Sequence, residues 1–144
     1  MTDPAKALER YARFFEELTP ADLDRLDEWF SPRARFVDPF NDVCGVDAIR
    51  DVFEHMFRTC ATVRFEVLEC VSGDGVGYLR WRFHFRLRGD GSDRRPVDGV
   101  SRVELGGDGR VAAHEDFWDA AGGLYEQFPV IGALMRWLRN RLAV

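Results

Sequence analysis

The stretch "YLRWRFHFRLR" (residues 78–88) carries the strongest pattern in the chain. Leu79, Trp81, Phe83, Phe85 and Leu87 alternate with Tyr78, Arg80, Arg82, His84, Arg86 and Arg88. Successive side chains of a strand point to opposite faces, so one face here is a wall of rings and the other a mostly basic stripe. The neighbouring stretches "TVRFEVLEC" (62–70), "VDGVSRVEL" (97–105) and "RVAAHEDFWD" (110–119) share the period of two. Between these strands lie the turn clusters "SGDG" (72–75), "GDGSD" (89–93) and "GGDG" (106–109). Connections this short specify a curved antiparallel meander of four strands.

Upstream the period is helical. "PAKALERYARFFEEL" (4–18) places Leu8, Tyr11, Phe15 and Leu18 on one face, with Phe14 beside them. "TPADLDRLDEWF" (19–30) opens a second helix with Thr19 as cap, Pro20 at its first position and Asp22 three residues after the cap; Leu23, Leu26 and Phe30 form its buried side. "ARFVDP" (34–39) reads as a short strand ended by Pro39, and "VDAIRDVFEHMF" (46–57) as a helix with Val46, Ile49, Phe53 and Met56 on one stripe. The tail "FPVIGALMRWLRNRL" (128–142) returns to helix, with Ile131, Leu134, Met135, Leu138 and Leu142 opposite Arg136, Arg139 and Arg141; it is expected to pack on the domain or close one end of it. Helices first and a sheet after them predict one α+β domain over residues 1–144, a curved antiparallel sheet wrapped around N-terminal helices with an extra C-terminal helix. Such a sheet encloses a cone-shaped hollow.

Composition narrows the function. A chain of 144 residues that is 46% hydrophobic and 13% aromatic is too apolar to be disordered, and its rings need a core or a ring-lined cavity. A net charge of −5 argues against nucleic acid and anionic membranes as partners. The arginine stripe does not reverse this, because Glu66, Asp98 and Glu104 stand at matching parity on neighbouring strands and neutralise it, leaving a solvated or dimer-forming outer face. Cys44, Cys60 and Cys70 fit neither a disulfide framework nor a zinc site, and read as buried free thiols of a cytoplasmic protein. No metal is expected at His55 or elsewhere, and no cofactor, since "GDGSD" lacks the strand-to-helix setting of a phosphate loop. The first residues show no signal-peptide pattern, and no apolar run reaches membrane-spanning length.

Two places carry chemistry. In "RFVDPFNDVCG" (35–45), Asp38 is either a turn aspartate or a functional carboxylate. In "RVAAHEDFWD", His114 and Asp116 share a face with Trp118, about 6.6 Å apart along the strand. Inward they form proton-transfer apparatus among rings; outward they are solvated surface groups, and periodicity does not choose.

The motifs "ADLDRLDEWFSPRARFVDPF", "GVDAIRDVF" and "HEDFWD" resemble the SnoaL-like and ketosteroid-isomerase-like branch of the nuclear transport factor 2-like superfamily, of cystatin-like fold, over nearly the whole chain. The resemblance implies that Asp38, in the V-D-P stretch, is a general base, and that His114, Asp116 and Trp118 lie inside with Trp81, Phe83 and Phe85. It implies a substrate pocket that also draws on Tyr11, Phe14, Phe15 and Phe40, with Phe53, Met56 and Ser101. Phe14 and Phe53 stand where the isomerase has tyrosines, so steroid isomerisation by the family mechanism is not expected; Ser101 falls near the isomerase's protonated aspartate, a weaker donor. The expected function is cofactor-independent acid–base chemistry of isomerase, cyclase or dehydratase type on a small apolar carbonyl compound, by a homodimer joined through the outer sheet. The alternatives are a binding protein without turnover and a structural or accessory dimer of the same fold.

Overall fold

The computed structural model describes residues 3–143. Helix α1 (Pro4–Glu16) begins where the Asp3 carboxylate accepts the Ala5 N–H at 3.0 Å, and it buries Leu8, Tyr11, Phe14 and Phe15. Residues Pro20–Glu28 form a 3-10 segment rather than the α-helix expected, with non-helical backbone at Arg25. The start signal itself holds, since the Asp22 carboxylate accepts both the N–H (2.8 Å) and the O–H (3.0 Å) of Thr19. Leu23 and Leu26 are buried as predicted, whereas Phe30, equally buried, is the first residue of a strand.

The sheet has six strands in the order β2-β1-β6-β5-β4-β3, namely β1 (Phe30–Val37), β2 (Asp42–Cys44), β3 (Cys60–Ser72), β4 (Val76–Leu87), β5 (Val97–Leu105) and β6 (Val111–Trp118). The meander β3 to β6 follows the turn signals. Two strands extend the meander, β1, which includes the strand expected before Pro39, and β2, which was not expected; the sheet is mixed, because β1 runs parallel to β6 with Phe36 opposite His114. Turn chemistry encodes pairings between consecutive strands only, so a pairing this distant in sequence leaves no local mark. Register shifts at Cys60/Thr62 and Val67/Glu69 bend β3, as an extra residue in one strand does.

Helix α2 (Val46–Thr59) presses Ile49 and Phe53 onto the concave side. Arg88 caps its last turn, with Nε donating to the Arg58 carbonyl at 2.8 Å and a terminal nitrogen to that of Phe57 at 3.1 Å. A cation on exposed helix-end carbonyls is the favourable polarity. On the convex face the expected charge pairing is present and takes in Glu69 as well: Arg82 pairs with Asp98, His84 with Glu66, Arg80 with Glu69 and Arg102 with Glu104.

After β6 a short helix α3 (Ala120–Gly123) and a 3-10 turn (Tyr125–Gln127) are tied to the β4–β5 loop. Gln127 accepts the Arg95 N–H at 2.8 Å and donates to the Gly123 carbonyl at 2.6 Å, while Arg94 reaches the Gln127 carbonyl at 3.1 Å. Helix α4 (Pro129–Leu142) departs from expectation. Val130, Ile131, Leu134, Trp137, Leu138 and Leu142 are exposed, and the bonds that hold the helix are polar, from Arg136 to the Glu126 carbonyl and from Arg139 to the Glu126 carboxylate. Its apolar stripe therefore neither packs on the sheet nor closes the hollow. The cysteines depart too, for Cys60 is buried but Cys44 and Cys70 are exposed.

Candidate functional site

The concave face is assembled row by row. Across β4, β5 and β6 one register row reads Trp81, Gly99, Trp118 and the next reads Leu79, Ser101, Asp116, so Ser101 faces Asp116 directly across the strands. In the row beyond, His114 stands between Val103 of β5 and Phe36 of β1. Gly99 has a steric role, because a Cβ at that position would collide with the Trp81 indole. Without one, the indole lies flat over β5 and its Nε1–H reaches the Ser101 hydroxyl at 2.8 Å.

These rows bring together one continuous hydrogen-bonded chain. The Trp81 indole donates to Ser101; Ser101 donates to Asp116 Oδ1 at 2.5 Å; His114 Nε2 lies 2.7 Å from the same oxygen; and Tyr11 joins His114 Nδ1 at 2.8 Å. An ionised carboxylate only accepts, so Nε2 carries a proton and a neutral imidazole must accept from Tyr11 at Nδ1. Burial, and then the charge of Asp116, hold the Tyr11 phenol well above its ordinary pKa, which keeps it a donor. The Phe36 ring stacks on the imidazole, with centroids 4.6 Å apart and planes 11° from parallel. His114 is 3% exposed and Ser101 2%, and every proton of the chain is directed toward Asp116.

Asp116 ends the chain with one oxygen to spare. Oδ1 takes both bonds, while Oδ2 bonds to no protein group among the described residues and is open to solvent. The carboxylate belongs to the wall of a cavity of about 290 Å³, otherwise lined mainly by apolar side chains. Trp118, two residues on, lines the same cavity, and its indole N–H bonds to no protein group among the described residues.

Asp38 also lines this cavity, yet its carboxylate is engaged in the turn. Oδ1 accepts from Phe40 N–H (2.7 Å), Asn41 N–H (2.8 Å) and Asn41 Nδ2 (3.0 Å), and Oδ2 is 3.0 Å from the same Nδ2. Asp38 is thus a turn aspartate, and its turn forms part of the cavity wall. Of the ring and polar residues expected in the pocket, Phe15, Phe40, Phe53, Met56, Trp81 and Phe83 line it, as do Phe85, Ser101 and Trp118. Tyr11 and Phe14 do not. Tyr11 sits behind His114, and Phe14 stacks on Trp29 at 4.6 Å, since helix α1 turns those positions away from the hollow. Sequence reasoning missed Phe36 and Phe65, which strand alternation places on the ring-bearing face, and it missed Asn41 and Leu124, which lie in loops and carry no periodic signal. Among the described residues, no three His, Cys, Asp or Glu side chains gather as a metal site.

Comparison with solved structures establishes the fold. A nuclear transport factor 2-like protein of unknown function from Burkholderia pseudomallei superposes with a TM-score of 0.71 at 16% identity, over 85% of this chain and 95% of that one. A protein described as a SnoaL-like polyketide cyclase from Jannaschia gives 0.71 at 18% identity, over 85% of this chain and 92% of that one. A protein with a ketosteroid isomerase-like fold from Catenulispora acidiphila, solved in complex with trimethylamine, gives 0.70 at 12% identity, over 83% of this chain and 89% of that one. Among curated proteins, none matches this sequence. The SnoaL-like domain family matches residues 11–114, which take in both Tyr11 and His114 of the hydrogen-bonded chain, and the protein belongs to that family.

Proposed function

We propose that the protein takes a small apolar carbonyl compound into the ring-lined hollow and moves a proton beside its carbonyl, with Asp116 as the base and no cofactor. One observation carries the reading: Asp116 has one oxygen fixed by Ser101 and His114, and the other unbonded and open, on an apolar cavity wall. In the proposed step Oδ2 removes the proton from the carbon next to the carbonyl, the C–H electron pair passes into the enolate, and the resulting carboxylic acid returns a proton to carbon. His114, oriented by Tyr11 and Phe36, holds the carboxylate in place. Trp118 supplies the free N–H for the enolate oxygen, and Asp38 shapes the wall through its turn. This exchanges the roles first expected, since Asp38 cannot leave its turn bonds without undoing the 38–41 loop.

The test needs no natural substrate. In D2O, 2-tetralone exchanges its acidic C–H protons, which proton NMR follows directly. The protein is expected to speed that exchange above buffer, and Asp116→Asn to lose the acceleration about a hundredfold. An unchanged rate in the variant ends the claim for Asp116. A second reading, binding without turnover, is favoured by the donors of the chain being spent on one another, which leaves few for a substrate oxygen. Probe binding without exchange would select it.

The same proposal includes a second copy on the convex face. Val71 and Tyr78 pair across β3 and β4, Val100 and Phe117 across β5 and β6, and all four are exposed there. Sedimentation velocity at micromolar concentration should find a dimer that Phe117→Glu weakens; a wild-type monomer removes the interface. The unpaired Cys44, Cys60 and Cys70 suit a reducing compartment such as the cytoplasm.

A further inference from the structure

The cavity wall has a charge pattern separate from the proton chain. Its carboxylates are Asp38 and Asp116, its imidazoles are His55 at the exposed rim and His114, and it contains no lysine or arginine among the described residues. Arg80 and Arg82 of β4 lie outside the hollow, as their exposed ion pairs with Glu69 and Asp98 on the convex face require, and Arg88 is spent on the end of α2. Among the described residues, neither wall carboxylate is paired with a guanidinium or ammonium group. Asp38 meets amides, and Asp116 meets a hydroxyl and an imidazole. The remaining wall is largely aromatic, with the rings of Phe65, Trp81, Phe83 and Trp118 among others. A ring that turns its negative face to the hollow adds to the field of the carboxylates, and a low-dielectric hollow screens that field weakly.

We propose that the hollow selects its occupant by charge: it admits neutral and cationic apolar molecules and rejects anions of the same shape. Carboxylic acids, phosphate esters and sulfates are thereby excluded as substrates, which leaves ketones, esters, lactones and amines. An anion brought beside Asp116 meets like charge, and among the described residues no lysine or arginine of the wall offsets it. A cation meets a carboxylate with an unbonded oxygen in a wall rich in aromatic side chains. The inference rests on the reading of the hollow as a binding site, and it does not require that the site turn anything over.

Three probes of one shape test it, 2-naphthamide, 2-naphthoate and 2-naphthylmethylammonium, titrated at pH 8, where an ordinary imidazole is neutral. Binding is followed by indole N–H shifts in nitrogen-15 NMR. Naphthoate is expected to bind at least tenfold more weakly than the amide, and the ammonium at least as tightly as the amide. Asp116→Asn should shrink the amide-to-naphthoate ratio at least threefold, and since Asn keeps the shape of Asp, the change reports charge. A ratio near one in the wild type, or a ratio that Asp116→Asn leaves untouched, overturns the proposal. That failure is distinct from failure of the catalytic reading, which is scored by tetralone exchange and not by affinity; absence of binding by all three probes removes both.

Discussion

The sheet holds two histidine–carboxylate pairs of nearly equal geometry, one on each face. His84 and Glu66 meet at 2.8 Å on the convex side, with side chains 27% and 39% exposed, while His114 and Asp116 meet at 2.7 Å on the concave side, at 3% and 16%. The hydrogen bond from His84 holds the Glu66 carboxyl below its ordinary pKa, yet beyond that pair lies water. The inner pair is embedded. Tyr11 fixes the far nitrogen of its imidazole, Phe36 its plane, and Ser101 the bonded oxygen of its carboxylate. Distance alone therefore does not make a site. Burial raises the cost of leaving any member unpaired, and the carboxylate that keeps one oxygen unbonded belongs to the wall of a cavity.

The sharpest way to break this comparison is to neutralise each carboxylate in turn. Asp116→Asn should cost about a hundredfold in tetralone exchange, equivalent to about 2.7 kcal/mol of barrier. Glu66→Gln, which alters an equally short bond, should leave the exchange rate unchanged. A matching loss in both variants would show that the protein's overall field, and not the inner site, governs the rate.

Removing the imidazoles gives the next effect. His114→Ala empties space beneath Phe36 and leaves the Tyr11 hydroxyl buried without a partner, which together should destabilise the fold by about 3 kcal/mol in urea unfolding. His84→Ala removes a pair in contact with solvent and should leave the unfolding midpoint in place. Equal midpoints for the two variants would mean that the inner chain contributes no stability.

The sequence disclosed much of this contrast, and the reason is periodicity. Alternation in β4 separates Trp81 and Phe85 from Arg80 and Arg82, and equal parity puts His114 and Asp116 on one face. In β6 both faces mix polar and apolar residues, so the choice of inner face came from family resemblance; the structure agrees because β1 covers His114 with Phe36. The bonds themselves were illegible. Ser101 opposite Asp116 depends on strand register, and Tyr11 reaching His114 depends on how α1 lies across the sheet, both of them long-range facts that no short stretch encodes. The same limit misplaced Phe14, whose helical face was read correctly but whose neighbour is Trp29 and not the hollow. The apolar stripe of α4 misled for another reason: amphipathic spacing reports that a face needs cover, not that its own chain supplies it.

A smaller effect is expected at Gly99. The Ala variant pushes a methyl group into the Trp81 ring, tilts the indole away from Ser101, and should cost about 2 kcal/mol by overpacking. The Trp81 indole N–H resonance should move with it, while those of Trp29 and Trp137 stay. An unmoved resonance would mean that the ring and Ser101 shift together, and that the end of the hydrogen-bonded chain is less fixed than the inner pair.

The smallest effect comes from the phenol at the other end of the chain. Tyr11→Phe keeps the ring and its edge-on contact with Phe30 but deletes the bond to His114 Nδ1, and should cost about 1 kcal/mol near neutral pH. Its pH dependence is more telling than its size. Tyr11 is held above its ordinary pKa by burial first and Asp116 second, so the folded protein keeps this proton more tightly than the unfolded chain does. Below about pH 10 both states are protonated and the contribution is whole. As pH rises beyond that value the unfolded chain ionises first, and wild-type stability falls until the raised folded value is itself passed. Tyr78, Tyr125 and the other titrating groups remain in both proteins, so their contributions cancel in the difference. Urea midpoints measured from pH 8 to 11 should therefore converge, the wild type losing its advantage over Tyr11→Phe at the alkaline end. Parallel curves would place the Tyr11 hydroxyl in contact with solvent, and the inner pair would then be as open at its back as the outer one.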